Sequence, residues 1–110
     1  MPRYVAFARY TPDALASVRK EGYANRTAAL QEFYESVGGK LEDSYFLASG
    51  PWHLMTIANL PDSKAAFALV SFASSTGVIE TGEVFELLTG DEADNAIGLQ
   101  QVKYRRPGQN

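Results

Sequence analysis

A single histidine and a single tryptophan stand side by side in the sequence, and they are the first candidates for chemistry. His53 and Trp52 follow a small-residue turn, SGP, within LASGPWHLMTIANL, residues 47–60. Histidine titrates near neutral pH without help from its surroundings, so His53 is the candidate general acid or base. The alternative is that His53 hydrogen-bonds its own hairpin and holds the turn. The sequence leaves both interpretations open.

Aromatic side chains fall in or near strand-like segments, where they could line a cavity for an aromatic or lipid-like ligand. These side chains are Tyr4, Tyr10, Tyr45 and Trp52. The polar side chains that could accompany them are His53, Arg9, Asp43 and Glu83. Packing in a core or a dimer interface would explain the same aromatic residues, so ligand binding and packing are alternatives at this point.

The sequence contains one histidine and no cysteine, which limits the metal sites that it could form. A site would need carboxylates as its other ligands, or His53 from two copies of the chain. No residue spacing favours either arrangement, and nothing favours a heme with His53 as its axial ligand. We therefore expect no metal and no cofactor.

The distribution of charged and apolar residues limits the classes of partner that the protein could bind. The net charge is −3, and the basic residues are scattered except for Lys103, Arg105 and Arg106. Phosphate binding needs clustered basic residues, so we expect no nucleic acid partner. No apolar stretch approaches the roughly 20 residues that cross a bilayer, so we expect no membrane association. The first residues lack a signal-peptide layout, and with the absence of cysteine this predicts a cytoplasmic protein.

The local patterns predict alternating strands and helices. Residues 4–10, YVAFARY, are typical of a strand. Thr11 and Pro12 predict the cap and first position of a helix, which Gly22 interrupts and which ends at Gly38-Gly39. The remaining predicted elements are strands over 40–48, 52–60 and 78–88, a helix from Asp62 or Ser63 to Gly77, and a short helix from Thr89 to Gln100. Residues 1–100 are expected to form one domain, with a flexible tail over 101–110.

This order, β-α-β-β-α-β, predicts a ferredoxin-like α+β sandwich with both main helices on one face of the sheet. The other face has no cover within the chain. Alternation along the strands leads us to place four side chains there: Tyr4, Tyr10, Leu54 and Ala58. Arg9 would then lie on the helix side. Because an apolar patch of that size marks an interaction surface, and two-fold pairing covers it most simply, the sequence predicts a homodimer.

Several segments in a fixed order resemble the GYD-domain family. They are MPRYVAFARYT, VGGKLEDSYF, GPWHL and PDSKAA, and the resemblance runs from about residue 2 to residue 89. It implies a dimeric α+β barrel in which ligands sit between the sheet and the helices. Related barrels include monooxygenases, isomerases and regulatory domains, so the resemblance implies a fold and a dimer rather than a reaction.

One residue departs from the family's Gly-x-Tyr-Asp signature. Gly50 matches its glycine and Trp52 stands at its aromatic position, but His53 stands where the family has aspartate. Glu83 matches a glutamate in the family's fourth strand. A function that needs a carboxylate at position 53 is therefore in doubt in this chain.

These observations lead to two functional expectations. The first is a homodimer that binds a small apolar or aromatic metabolite, with His53 as the proton-transfer group if a reaction occurs. Tyr10 and Tyr45 would then orient the ligand through their hydroxyls, and Tyr4, Trp52 and Glu83 would complete its site. The second is a non-enzymatic sensor or assembly module whose sheet face serves only dimerisation.

Overall fold

The computed structural model describes residues 1–108 and forms a four-stranded antiparallel sheet with helices on one side. Residues 109 and 110 of the predicted tail lie outside the described residues. The elements in chain order are β1 (Arg3–Tyr10), α1 (Pro12–Glu21), α2 (Tyr23–Ser36), β2 (Lys40–Phe46), β3 (Leu54–Asn59), α3 (Ser63–Ser75), β4 (Ile79–Leu87) and α4 (Gly90–Leu99). The strand order β2-β3-β1-β4 confirms the predicted ferredoxin-like topology.

Side-chain caps and glycines set the helix boundaries where the sequence predicts them. Thr11 accepts a hydrogen bond from the Ala14 amide at the start of α1, and Asp62 rather than Ser63 caps α3. Gly38 has a φ of 80°, the left-handed conformation that ends α2. Gly22 interrupts the helical segment as predicted, and α2 begins directly after it at Tyr23.

The core lies between the sheet and the helices in two clusters of buried side chains. The first contains Tyr4, Tyr34, Ala58, Leu60, Ala65, Ala66 and Leu69. The second contains Tyr10, Val18 and Leu54, against which Leu15 and Leu30 pack. Leu15 and Val18 therefore supply the inward side of α1.

The prediction of which side chains occupy the uncovered face was wrong. Tyr4, Tyr10, Leu54 and Ala58 are all buried under the helices, and the alternate residues of β1 and β3 face away from them. Arg9 therefore lies on the uncovered face and not on the helix side. The reason is that both alternating sets in β1 are rich in apolar residues, so the period of two identifies which residues share a face but not which face the helices cover.

Smaller corrections concern the helices. Ala28 is exposed, and Leu30 and Tyr34 take the inward positions of α2 beside Phe33. Val70 and Phe72 are exposed on α3. The register of β1 against β4 shifts between Arg9 and Tyr10, close to Gly82 on β4.

The C-terminal part of the chain adds little to the core. A capping box between Thr89 and Glu92 starts α4, yet α4 buries no residue. Its Ile97 and Leu99 are exposed, and residues 100–108 form no helix or strand. Among the described residues, no helix has the length and apolarity needed to cross a membrane.

Candidate functional site

A cleft opens between α2 and α3 above the sheet and includes the predicted ligand residue Tyr10. Its volume is about 590 Å³, within the range of small-molecule sites. Tyr10, Leu54 and Ile79 come from the sheet side of the cleft. The residues contributed by α2 and α3 are Arg26, Leu30, Phe33, Ser36, Phe72 and Ala73. The cleft is thus largely apolar and joins the two main helices to the sheet.

A smaller cavity of about 100 Å³ adjoins the cleft and reaches towards Tyr4. Leu30, Phe33, Leu54 and Ala73 line both spaces, so they share a wall. Within the smaller cavity Tyr34 and Thr56 join their hydroxyl oxygens at 2.6 Å, which satisfies both buried groups. This cavity alone is too small for a metabolite, and it serves as an extension of the cleft.

Arg26 brings a positive charge to the cleft, and the sequence analysis missed it. Its side chain is 27% exposed, and its Nη1 lies 3.8 Å from Oε2 of Glu21, beyond hydrogen-bond distance. Its Nε is buried with no hydrogen-bond partner among the described residues. A signal existed, because Arg26 precedes Leu30 and Phe33 by four and seven residues and so continues the inward stripe of α2.

Tyr10 also lines the cleft, and its buried hydroxyl is a second polar group without a partner among the described residues. The residue is only 3% exposed, and its hydroxyl has no hydrogen-bond partner among the described residues. Burial raises the pKa of the Tyr10 hydroxyl, while the nearby Arg26 charge acts in the opposite direction. The hydroxyl therefore stays protonated at neutral pH and can donate a hydrogen bond.

His53 holds the end of the sheet through both its backbone and its side chain. Its amide donates to the Ala8 carbonyl at 2.9 Å, and its Nδ1 accepts a hydrogen bond from the Tyr10 amide at 3.0 Å. Because β3 begins only at Leu54, the imidazole takes the place of a strand carbonyl and extends the pairing of β1 with β3 by one bond. The ring also stacks at 10° to the Tyr10 ring, 6.2 Å between centroids.

The hydrogen bond from the Tyr10 amide fixes which ring nitrogen of His53 carries the proton. An Nδ1 that accepts a hydrogen bond carries no proton, so the neutral ring bears its proton on Nε2. An aspartate at the same position could accept the same bond. His53 also lines a separate pocket of about 370 Å³ with Tyr10, Leu15 and Tyr23. The side chain of His53 is bonded to β1, whereas its backbone carbonyl accepts a hydrogen bond from the Leu47 amide of its own hairpin at 3.0 Å.

The remaining predicted ligand residues lie on the uncovered face of the sheet. Trp52 packs against Phe7, with ring centroids 6.1 Å apart, and the Arg9 guanidinium lies 5.9 Å from the Trp52 ring centroid. Glu83 pairs with Phe7 across β1 and β4, and Tyr45 is exposed opposite Met55 on β3. Asp43 and Tyr45 lie on the same face of β2, opposite Ile57 and Met55 of β3.

The predicted site residues therefore divide between two places. Tyr10 lines the cleft on the helix side, whereas Tyr4 lines only the adjoining cavity and places its hydroxyl 3.3 Å from Oε1 of Glu86. Glu83 also contributes to the lining of that cavity, although its register opposite Phe7 places it on the uncovered face, and the others lie on the opposite side of the sheet or at its end. Among the described residues, no group of three or more histidine, aspartate and glutamate side chains is placed to hold a metal ion.

Comparison with known proteins adds a family. The sequence model of the GYD domain matches residues 4–97. This span includes most of α4 and all four strands, apart from the first residue of β1. The predicted family is confirmed. No curated protein is similar enough to this chain to count as a match.

Proposed function

We propose that this chain, which belongs to the GYD-domain family, is a homodimer that binds a small apolar or aromatic metabolite between its sheet and its helices. The observation that carries the proposal is the cleft between α2 and α3, with its volume of about 590 Å³. The cleft opens to solvent, and a largely apolar recess of this size with a few polar groups has the features of a small-molecule site.

The walls of the cleft define the ligand class. Leu30, Phe33 and Phe72 offer aliphatic and aromatic surface, and Phe72 is 66% exposed at the rim. An exposed aromatic side chain gains contact area when a ligand covers it. A flat or branched hydrocarbon body of one or two rings suits these walls, and the adjoining cavity gives room for a further small group.

The homodimer rests on the uncovered face of the sheet. Its central side chains are apolar: Val5, Phe7, Met55, Ile57 and Phe85. Phe85 is 49% exposed, and no element within residues 1–108 packs over this face. A second copy would cover the same patch through two-fold symmetry. A ten-residue helix is only marginally stable alone, so α4 needs a surface to pack on. The same assembly would provide one by covering its exposed Ile97 and Leu99.

A binding module without catalysis is the second candidate, and the environment of His53 favours it. Nδ1 of His53 accepts the Tyr10 amide hydrogen bond, so the ring has a structural task. His53 lines the smaller neighbouring pocket and not the cleft. Acid–base catalysis by His53 would act through Nε2 on a group placed in that neighbouring pocket, with Tyr10 between the two spaces.

A neutral fluorescent probe tests the binding site. N-phenyl-1-naphthylamine should bind the purified protein with enhanced, blue-shifted emission, at one molecule per chain. Ser36→Trp would project a large side chain into the cleft, and it should weaken binding by about tenfold or more. The matched control is Glu35→Trp, on the preceding residue of α2, which is exposed and does not line the cleft. Equal binding by both variants, or no binding by the unaltered protein, would contradict the proposal.

A further inference from the structure

We infer that the ligand of the cleft carries a carboxylate, which forms an ion pair with Arg26 and accepts a hydrogen bond from the Tyr10 hydroxyl. The inference rests on the proposed function and narrows its ligand to apolar or aromatic carboxylic acids. It is carried by two buried polar atoms, Nε of Arg26 and the Tyr10 hydroxyl, which belong to residues lining one largely apolar cleft and have no hydrogen-bond partners among the described residues.

The guanidinium of Arg26 is poorly satisfied for a group in this position. It has five N–H donors and is always charged. Its nearest carboxylate oxygen, Oε2 of Glu21, is 3.8 Å away, and Nε is shielded from water without a partner. A partly desolvated guanidinium binds a carboxylate strongly, since two parallel N–H donors can meet both oxygens. The ligand would supply the acceptor that Glu21 provides only at a distance.

The Tyr10 hydroxyl reinforces the same choice of ligand. Buried hydroxyls nearly always have a hydrogen-bond partner, and this one has none although the residue is 3% exposed. The hydroxyl is a donor at neutral pH because burial raises its pKa. A carboxylate oxygen is an acceptor only, so it matches both this donor and the guanidinium.

Access to these donors requires one side chain to move, and Arg26 is the one able to do so. Nε of Arg26 and the Tyr10 hydroxyl are both closed to water. The Arg26 side chain is long and is held by an ion pair at 3.8 Å rather than by a close hydrogen bond. Rotation of the guanidinium towards the cleft would present its donors and open the space beside Tyr10 without displacing the backbone.

Charge in the cleft agrees with an anionic ligand. Among the described residues, Arg26 is the one charged side chain that lines the cleft. The apolar walls lower the local dielectric, which strengthens an ion pair formed with a ligand. Glu21 competes for the same guanidinium from the end of α1, so its charge should weaken ligand binding.

A pair of ligands of equal size tests the inference. Naphthalene-1-acetate and naphthalene-1-acetamide differ in charge but have nearly the same shape. By isothermal titration, the unaltered protein should bind the acetate about tenfold more tightly than the amide. Arg26→Gln should remove this preference by weakening acetate binding more than amide binding, and Arg19→Gln, an exposed arginine of α1, should leave both affinities unchanged.

Two further variants keep the test decisive if Arg26→Gln folds poorly. Glu21→Gln should strengthen acetate binding a few-fold, and Tyr10→Phe should weaken acetate binding a few-fold and amide binding less. Equal binding of acetate and amide by the unaltered protein would overturn the inference and leave the proposed function standing. If neither compound binds, and the neutral fluorescent probe also fails to bind, both are overturned.

Discussion

The two faces of the sheet carry similar residues but have different surroundings. Tyr10 and Leu54 on the helix side are buried, whereas their neighbours of the other parity, Arg9 and Met55, lie on a face that no element within residues 1–108 covers. The apolar character of both faces means that hydrophobicity alone does not distinguish a core from an interface. What distinguishes them is the route of the chain, which sends its helices to one side.

The difference also separates two kinds of chemistry. The helix side contains the cleft and the donors of Arg26 and Tyr10, which suit a small ligand. The uncovered face contains Arg9 stacked near Trp52 and a broad apolar strip, which suits a protein surface. The variants below test whether the two faces behave as a core with a ligand site and as an interface.

Truncating one buried leucine should have the largest effect on stability. Leu54→Ala removes a side chain that is buried between the sheet and the helices, so the free energy of unfolding should fall by about 2–5 kcal/mol in urea denaturation. Met55→Ala, on the next residue and the opposite face, is the matched comparison. Its loss should be smaller and should depend on protein concentration, because it would weaken the proposed dimer. Equal losses that do not depend on concentration would remove the distinction between the faces.

A charge on the uncovered face should break the dimer. Ile57→Glu places a carboxylate in the centre of the apolar strip, and the dimer dissociation constant should rise by about 100-fold or more. Light scattering after size exclusion should then report a monomer. Ser71→Glu, an exposed position of α3, is the control and should remain a dimer. The proposed dimer fails if the unaltered protein is itself a monomer at micromolar concentration.

Replacing His53 should distinguish its structural task from catalysis. His53→Ala leaves the Tyr10 amide without its acceptor, which should cost about 1–3 kcal/mol of unfolding free energy. His53→Asp restores the residue of the family signature and an acceptor for that amide, so it should retain most of the stability. Urea denaturation at pH 7 measures both variants. An unchanged stability of His53→Ala would show that the hydrogen bond contributes little and would favour a functional role.

The sequence predicted the elements and their order well, because these depend on local signals. Thr11 and Asp62 act as caps, Gly38 ends a helix, and the strands alternate as expected. The face that receives the helices was predicted wrongly, since YVAFARY has apolar residues at both parities. The set of alternate strand residues that faces the helices is determined by how all four strands pair and where the helices pack. No single segment of the sequence contains that information.

The site was less predictable than the fold because its contacts are long-range. The bond between His53 and Tyr10 joins residues 43 apart, and only the paired sheet brings them together. Arg26 was missed although it lies in the inward stripe of α2, because a charged residue at such a position is normally assigned to solvent. An inward arginine beside Leu30 and Phe33 is a signal that can be looked for in a sequence.

Two tyrosines on the helix side should show the smallest effects and the clearest contrast. Tyr34→Phe removes a hydroxyl that is paired with Thr56, which should cost about 1 kcal/mol at pH 7. Tyr10→Phe removes a hydroxyl without a partner among the described residues, so it should cost less than about 0.5 kcal/mol or add slightly to stability. Urea denaturation of both variants at pH 7 measures the contrast.

The same tyrosines should affect stability at alkaline pH. Burial raises the pKa of Tyr10 and of Tyr34 in the folded state above the unfolded value of about 10. Their contribution is therefore fully present below about pH 10 and is lost as the pH rises through the folded pKa, because the unfolded chain releases these protons first. The unaltered protein should lose stability above about pH 10, and Tyr10→Phe should lose less. The same alkaline loss in both proteins would mean that the Tyr10 hydroxyl is accessible to solvent, and the ligand site built on its burial would need another donor.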